Sequence, residues 1–155
     1  MQNLGSELED DHKYRESENI FRELIDLRRK TYGAEDPRTL TTSGSVAGVL
    51  MDENRLPEAR KMLEDTIAVQ GRVLGSDNTV RAGNIYNLAC IAARSKRPQD
   101  ALSLLSEAVE HNLSAETLIG IDQDTDLKSL HGNPQFAAIV ARAKLLATTP
   151  AAQKH

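Results

Sequence analysis

The chain has 155 residues, 39% of them apolar and 27% charged, with a formal charge of −4, one cysteine and no tryptophan. This length supports one domain with a real core, while the acidic balance lacks the basic stripe of a general nucleic-acid binder. A single thiol excludes an internal disulfide and fits a reducing compartment.

Taken in chain order, the residues from Met1 carry Leu4, Gly5 and Leu8 at helical spacing. Met1 already holds the first apolar position of that helix, so the array is entered part-way; a fragment and a complete protein both fit. The start MQNLGSELEDDHKYRESE is acidic with no apolar core segment, so it is not a signal peptide. No apolar run reaches 18 residues, so no membrane span is expected. Cytoplasmic is the default location.

A second helix runs from Tyr14 to Gly33, and the Asp36-Pro37 breaker then precedes a third from Thr39 to about Asn54. Arg55 to Gly75 follows, with Ala59, Met62, Leu63, Thr66, Ile67, Val69 and Val73 mostly three or four apart, the helical period. Pro57 and Glu58 suit its first turn and Gly75 its end. Ser76-Asp77-Asn78 breaks the chain before a helix from Thr79 to about Ser95, and Pro98 to about Asn112 forms the next. The links Asn54-Arg55-Leu56 and Lys96-Arg97-Pro98 are short, which forces antiparallel hairpins. Beyond Asn112 the repeating pattern fails: Ala115 to Ile121 reads as a degenerate helix, Thr125 to Leu130 as a short helical turn, and Pro134 to Ala147 as a terminal helix.

Across these elements the sequence repeats every 42 residues. Ser17, Ala59 and Ala101 keep that spacing, as do Phe21, Leu63 and Leu105, then Ile25, Ile67 and Val109, and Leu4, Val46 and Leu88. Small residues recur at Gly5, Ala47 and Ala89, each 12 before the next small residue, where two antiparallel helices come closest. A period of this length marks an array of supersecondary units that bury their apolar faces on one another. The expected fold is all-α, an α-solenoid of helical hairpins.

These motifs resemble the tetratricopeptide pattern W-x2-L-G-x2-Y, A-x3-F, P. Here it takes the forms Met1-x2-Leu4-Gly5-x2-Leu8 with Ser17-x3-Phe21, Ser43-x2-Val46-Ala47-x2-Leu50 with Ala59-x3-Leu63, and Ile85-x2-Leu88-Ala89-x2-Ala92 with Ala101-x3-Leu105. The 42-residue period is similar to the longer repeats of kinesin light chains and many bacterial proteins. The large aromatics and closing proline of the pattern are missing. The resemblance implies three repeats, about 1–38, 39–78 and 79–114, in a single domain 1–147 closed by a cap at 115–147, with 148–155 a flexible tail. The segment Asp124-Thr-Asp126-Leu127…Leu130…Asn133-Pro134-Gln-Phe136 resembles the close of bacterial arrays, including those fused to serine/threonine kinases. Leu127, Leu130, Phe136, Ile139 and Val140 are expected to cover the third repeat.

No catalytic or metal set emerges from the residues. Asp122, Asp124 and Asp126 have the spacing of the first ligands of a calcium loop, but Leu127 stands where Gly is needed and Asn133 where Glu is needed. N-capping near Thr125 explains them better. The four histidines show no ligand spacing, Cys90 reads as a buried thiol, and phosphate-loop, GxSxG and HExxH motifs are missing. The chain is therefore expected not to be an enzyme and to need no cofactor.

What remains is the groove that the resemblance implies, built by the first helix of each pair. Its stripe comprises Thr41, Gly44, Ser45, Gly48, Met51 and Asp52, repeated as Gly83, Tyr86, Asn87, Cys90, Ala93 and Arg94, with Asn3, Ser6, Glu9 and Asp10 from the first repeat. Asn3 and Asn87 match the asparagine with which such arrays hold a peptide backbone; Ser45 replaces it in the middle repeat. The glycines also fit a simpler account, tight helix packing. The expected function is a scaffold that binds a protein or peptide partner in this groove, without nucleic acid or membrane. Alternatives are a regulatory segment of a larger bacterial signalling protein such as a serine/threonine kinase, and self-association through the N-terminal helix.

Overall fold

The computed structural model describes residues 13–149, whose elements are all helical, with no strand among them. The expected all-α class is what is found. Seven α-helices lie among the described residues: α1 (Tyr14–Tyr32), α2 (Pro37–Asp52), α3 (Leu56–Val73), α4 (Thr79–Arg94), α5 (Pro98–Glu110), α6 (Ala115–Gly120) and α7 (Pro134–Thr148). Two 3-10 turns, Ile121–Gln123 and Thr125–Leu130, connect the last two. The chain groups into two compact units, one up to Gly75 and one from Ser76 on.

In the first unit α2 packs against both α1 and α3. The Asp36 carboxylate accepts from the Arg38 backbone N–H at 2.9 Å and Pro37 takes the first position, so α2 starts two residues before the sequence estimate. It ends at Asn54, whose φ of 59° lets the Arg55 N–H reach back to the Leu50 carbonyl at 2.8 Å. This left-handed stop satisfies an orphan carbonyl and turns the chain straight into α3. One period later Lys96, at φ 58°, does the same, with the Arg97 N–H on the Ala92 carbonyl at 2.9 Å. The hairpin geometry thus repeats with the sequence.

The small residues sit where the period placed them: Ser17, Ala47, Ala59, Ala89 and Ala101 are each 0% exposed. Phe21, Leu63 and Leu105 fill the space beside them and are buried. In the first unit Glu18 adds a polar tie. Its carboxylate accepts from Arg22 on its own helix and from Arg55 at the α2–α3 link, both at 2.7 Å. Burial alone raises its pKa, but the hydrogen bonds and charges of Arg22 and Arg55 outweigh it, leaving the group below its ordinary 4.5. A depressed carboxylate stabilises the fold above its unfolded pKa and loses that contribution as pH falls through the folded value. The urea midpoint of this unit is therefore expected to drop between about pH 5 and pH 3, with a shallower drop in Glu18→Gln. An identical pH profile in the variant would show that the tie carries no stability.

In the second unit α4 packs on α5, α7 on α5 and α6, and the turn Thr125–Leu130 on α4. Asn78 caps α4 by accepting from the Val80 and Arg81 N–H groups, and Asn133 caps α7 through Gln135 and Phe136. Leu127, Leu130 and Phe136 are buried as expected of a cap, while Ile139 and Val140 are only half-buried. Thr125–Leu130 is a 3-10 turn, and α7 extends one residue past Ala147, through Thr148. The 42-residue period in fact persists here. Leu127, Leu130 and Ala143 stand one period beyond Ile85, Leu88 and Ala101, and all six are buried. The sequence estimate missed this because the intervening backbone is a 3-10 turn rather than a full helix.

Candidate functional site

The candidate stripe of the first unit lies on α2. Val46, Ala47, Val49 and Leu50 bury one side of this helix, leaving Thr41, Ser45 and Gly48 half-buried and Asp52 exposed. The hydroxyls of Thr41 and Ser45 donate to carbonyls one turn back, Pro37 at 2.8 Å and Thr41 at 3.4 Å. Gly44 is buried, and Met51 is only 6% exposed, so its side chain belongs to the core. Gly48 is different: a Cβ built there meets no atom of the described residues within 4 Å. The same holds at Gly83 on α4. Neither glycine is required by packing against another of the described helices.

A second opening in this unit, of about 630 Å³, lies between α1 and α3. Ile25, Leu50, Met62 and Ser43 line it, with charged residues such as Arg29 and Asp26 also on its walls. Ser43 stands one period before Ile85, which fills its own site at 1% exposure. The small side chain leaves that space open.

In the second unit α4 presents Asn87, half-buried, beside Tyr86 and Cys90, which are 7% and 2% exposed. The turn after α6 covers them. The Tyr86 hydroxyl donates to the Asp124 carboxylate, and the Cys90 sulfur lies 4.0 Å from the same oxygen. Arg94 sits 3.6 Å from Asp126 across the turn, and the Ser129 hydroxyl donates to the Ala93 carbonyl at 3.4 Å. Asp124 also caps the turn, accepting from the Asp126 N–H at 2.9 Å. The capping role read from the sequence is present, and a second one, to Tyr86, accompanies it. The resemblance pointed to this segment as a cap, and the 42-residue step from Ile85 and Leu88 to Leu127 and Leu130 is the sequence signal that places it on α4.

Burial and the two carboxylates push the Cys90 thiol up, so it stays neutral and unreactive near neutral pH. Burial and the Asp124 carboxylate likewise raise the Tyr86 phenol. Asp126 is raised by burial and by Asp124, with Arg94 opposing. Donor atoms of Cys90, Asp124 and Asp126 lie within 4.8 Å of one another. Tyr86 already donates to Asp124 and Arg94 already faces Asp126, so each carboxylate has a partner within the chain. Asp122 stands apart in an ion pair with Lys144 at 2.6 Å.

The structure thus places Ser45, Gly48 and Asp52 on the accessible side of α2, Met51 in the core, and Tyr86, Cys90 and Arg94 under the closing turn. Asn87 keeps partial exposure. Asn3, Ser6, Glu9 and Asp10 lie outside the described residues, as does the helix suggested for self-association. No helix among the described residues is long and apolar enough to cross a membrane.

Two tetratricopeptide repeat profiles match the sequence, over residues 1–38 and 42–114. No curated protein matches it. Among solved structures, similar folds include crystal structures of nearly identical TPR-like repeats from a Podosopora anserina protein described as a kinesin light chain. One has a TM-score of 0.74 at 19% identity, covering 97% of this chain and 75% of that one. A single-substitution variant gives 0.72 at 21% identity, covering 91% and 68%. At such identities the likeness concerns the fold. Repeats of this kind mediate protein–protein interaction and typically form non-catalytic scaffolds. The repeated hairpins, the two profile matches and the shared fold make this chain a member of the tetratricopeptide repeat family.

Proposed function

We propose that the chain is a non-catalytic scaffold that holds an extended segment of a protein partner against the open stripe of α2. Gly48 carries the reading. A glycine in a helix interior costs about 0.5–1 kcal/mol relative to alanine. Such a residue is usually explained by a close packing neighbour, yet a Cβ at Gly48 meets nothing within 4 Å among the described residues. A bare strip of helix between Ser45 and Asp52 suits the approach of another backbone.

The test is a photo-cross-linking amino acid placed at position 48 and, as a control, at Ala68, which is exposed on α3. Protein adducts are expected from position 48, with the adducted partner residues falling in one short segment. Adducts from position 68 alone would move recognition to the second-type helices and end the proposal.

A further inference from the structure

In the second unit the stripe of α4 already has an occupant, the turn Thr125–Leu130. Its polar hold consists of side-chain contacts: Tyr86 to Asp124, Arg94 to Asp126, and Ser129 to the Ala93 carbonyl. Leu127 and Leu130, at 0% and 1% exposure, supply the apolar part. Both leucines belong to the six-residue 3-10 turn, a form with poor hydrogen-bond geometry that is uncommon at this length. Such a turn has little stability of its own and depends on what it docks against.

We propose that this turn is a resident segment on an acid-reading surface, and that a partner segment with the pattern Asp-x-Asp-Leu-x-x-Leu takes its place. The inference rests on the scaffold reading above and extends it to α4. The chemistry on the α4 side is general. A phenol and a guanidinium are donors that any pair of carboxylates two residues apart can meet, and the Ala93 carbonyl accepts from any hydroxyl at the right register. The two leucines then set that register. Because the resident is tethered, it competes at an effective concentration on the order of 1 mM. A free segment therefore binds weakly until the anchors of the resident are removed.

The probe is a fluorescein-labelled peptide of residues 121–133, titrated by anisotropy into the full chain and into the full-chain double variant Asp124→Ala/Asp126→Ala. The variant keeps Leu127 and Leu130, and its fold is checked by a cooperative urea transition. It is expected to bind the peptide at least about tenfold more tightly than the parent, as removal of a competing state requires. Adding Arg94→Ala should abolish the gain. Equal binding by parent and variant, or a gain that survives Arg94→Ala, overturns the proposal. Cys90, the sole cysteine, gives a second measurement on the unaltered chain. A disulfide-exchange reagent should modify it through a local opening, faster than global unfolding permits. Modification only through global unfolding would show that the turn does not leave α4. Loss of peptide exchange with adducts at position 48 intact refutes the resident-turn proposal alone. Peptide exchange without those adducts refutes the α2 contact alone.

Discussion

Phe136→Ala is expected to destabilise the second unit by about 3–5 kcal/mol, the range for deleting a buried ring. The ring is 5% exposed near the start of α7 and stacks on the His131 imidazole at 5.6 Å between centroids. It stands just beyond the turn whose Leu127 and Leu130 complete the same apolar layer. The Asn133 cap is left intact by the substitution, so the loss reports packing rather than helix initiation. Urea unfolding followed by helical circular dichroism measures it, with Gln135→Ala, an exposed neighbour, as the control. If Phe136→Ala unfolds at the midpoint of the control, the Phe136 ring contributes nothing to the stability of the second unit.

Ala59→Leu and Ala101→Leu should each cost roughly 1–3 kcal/mol by overpacking. Both methyls are 0% exposed, on helices whose partners α2 and α4 carry Ala47 and Ala89, also 0% exposed. Three added carbons at such a crossing must push the helices apart or force strained rotamers. The two substitutions lie in different compact units, so their effects are expected to add. Ala68→Leu, on the exposed side of α3, should leave the unfolding midpoint unchanged. If Ala59→Leu and Ala101→Leu behave like Ala68→Leu, the helix crossings do not sit at these residues.

Most of the fold is local and was therefore legible from the residues alone. A helix that starts at an Asp36 or Asn78 cap, buries one face every three or four residues and stops at a left-handed Asn54 or Lys96 is specified by neighbours within a few positions. Repeating that unit every 42 residues named the small positions at each crossing, because only a small side chain allows close approach. The open stripe of Ser45, Gly48 and Asp52 was likewise legible as the side of α2 left over from its apolar face.

Tertiary structure alone decided how the stripe of α4 is used. Tyr86 meets Asp124, 38 positions later, and Arg94 meets Asp126, and neither partner is encoded in the spacing around the other. Asp124 reads locally as a cap, and it is one; its second oxygen is free to bond across the fold only because Leu127 and Leu130 bring the turn onto α4. Met51 shows the same limit, since its place at the edge of the apolar face fits groove and core equally until the packing of α2 buries it. Short-range spacing determines which residues share a helix face. What covers that face depends on chain segments tens of residues away.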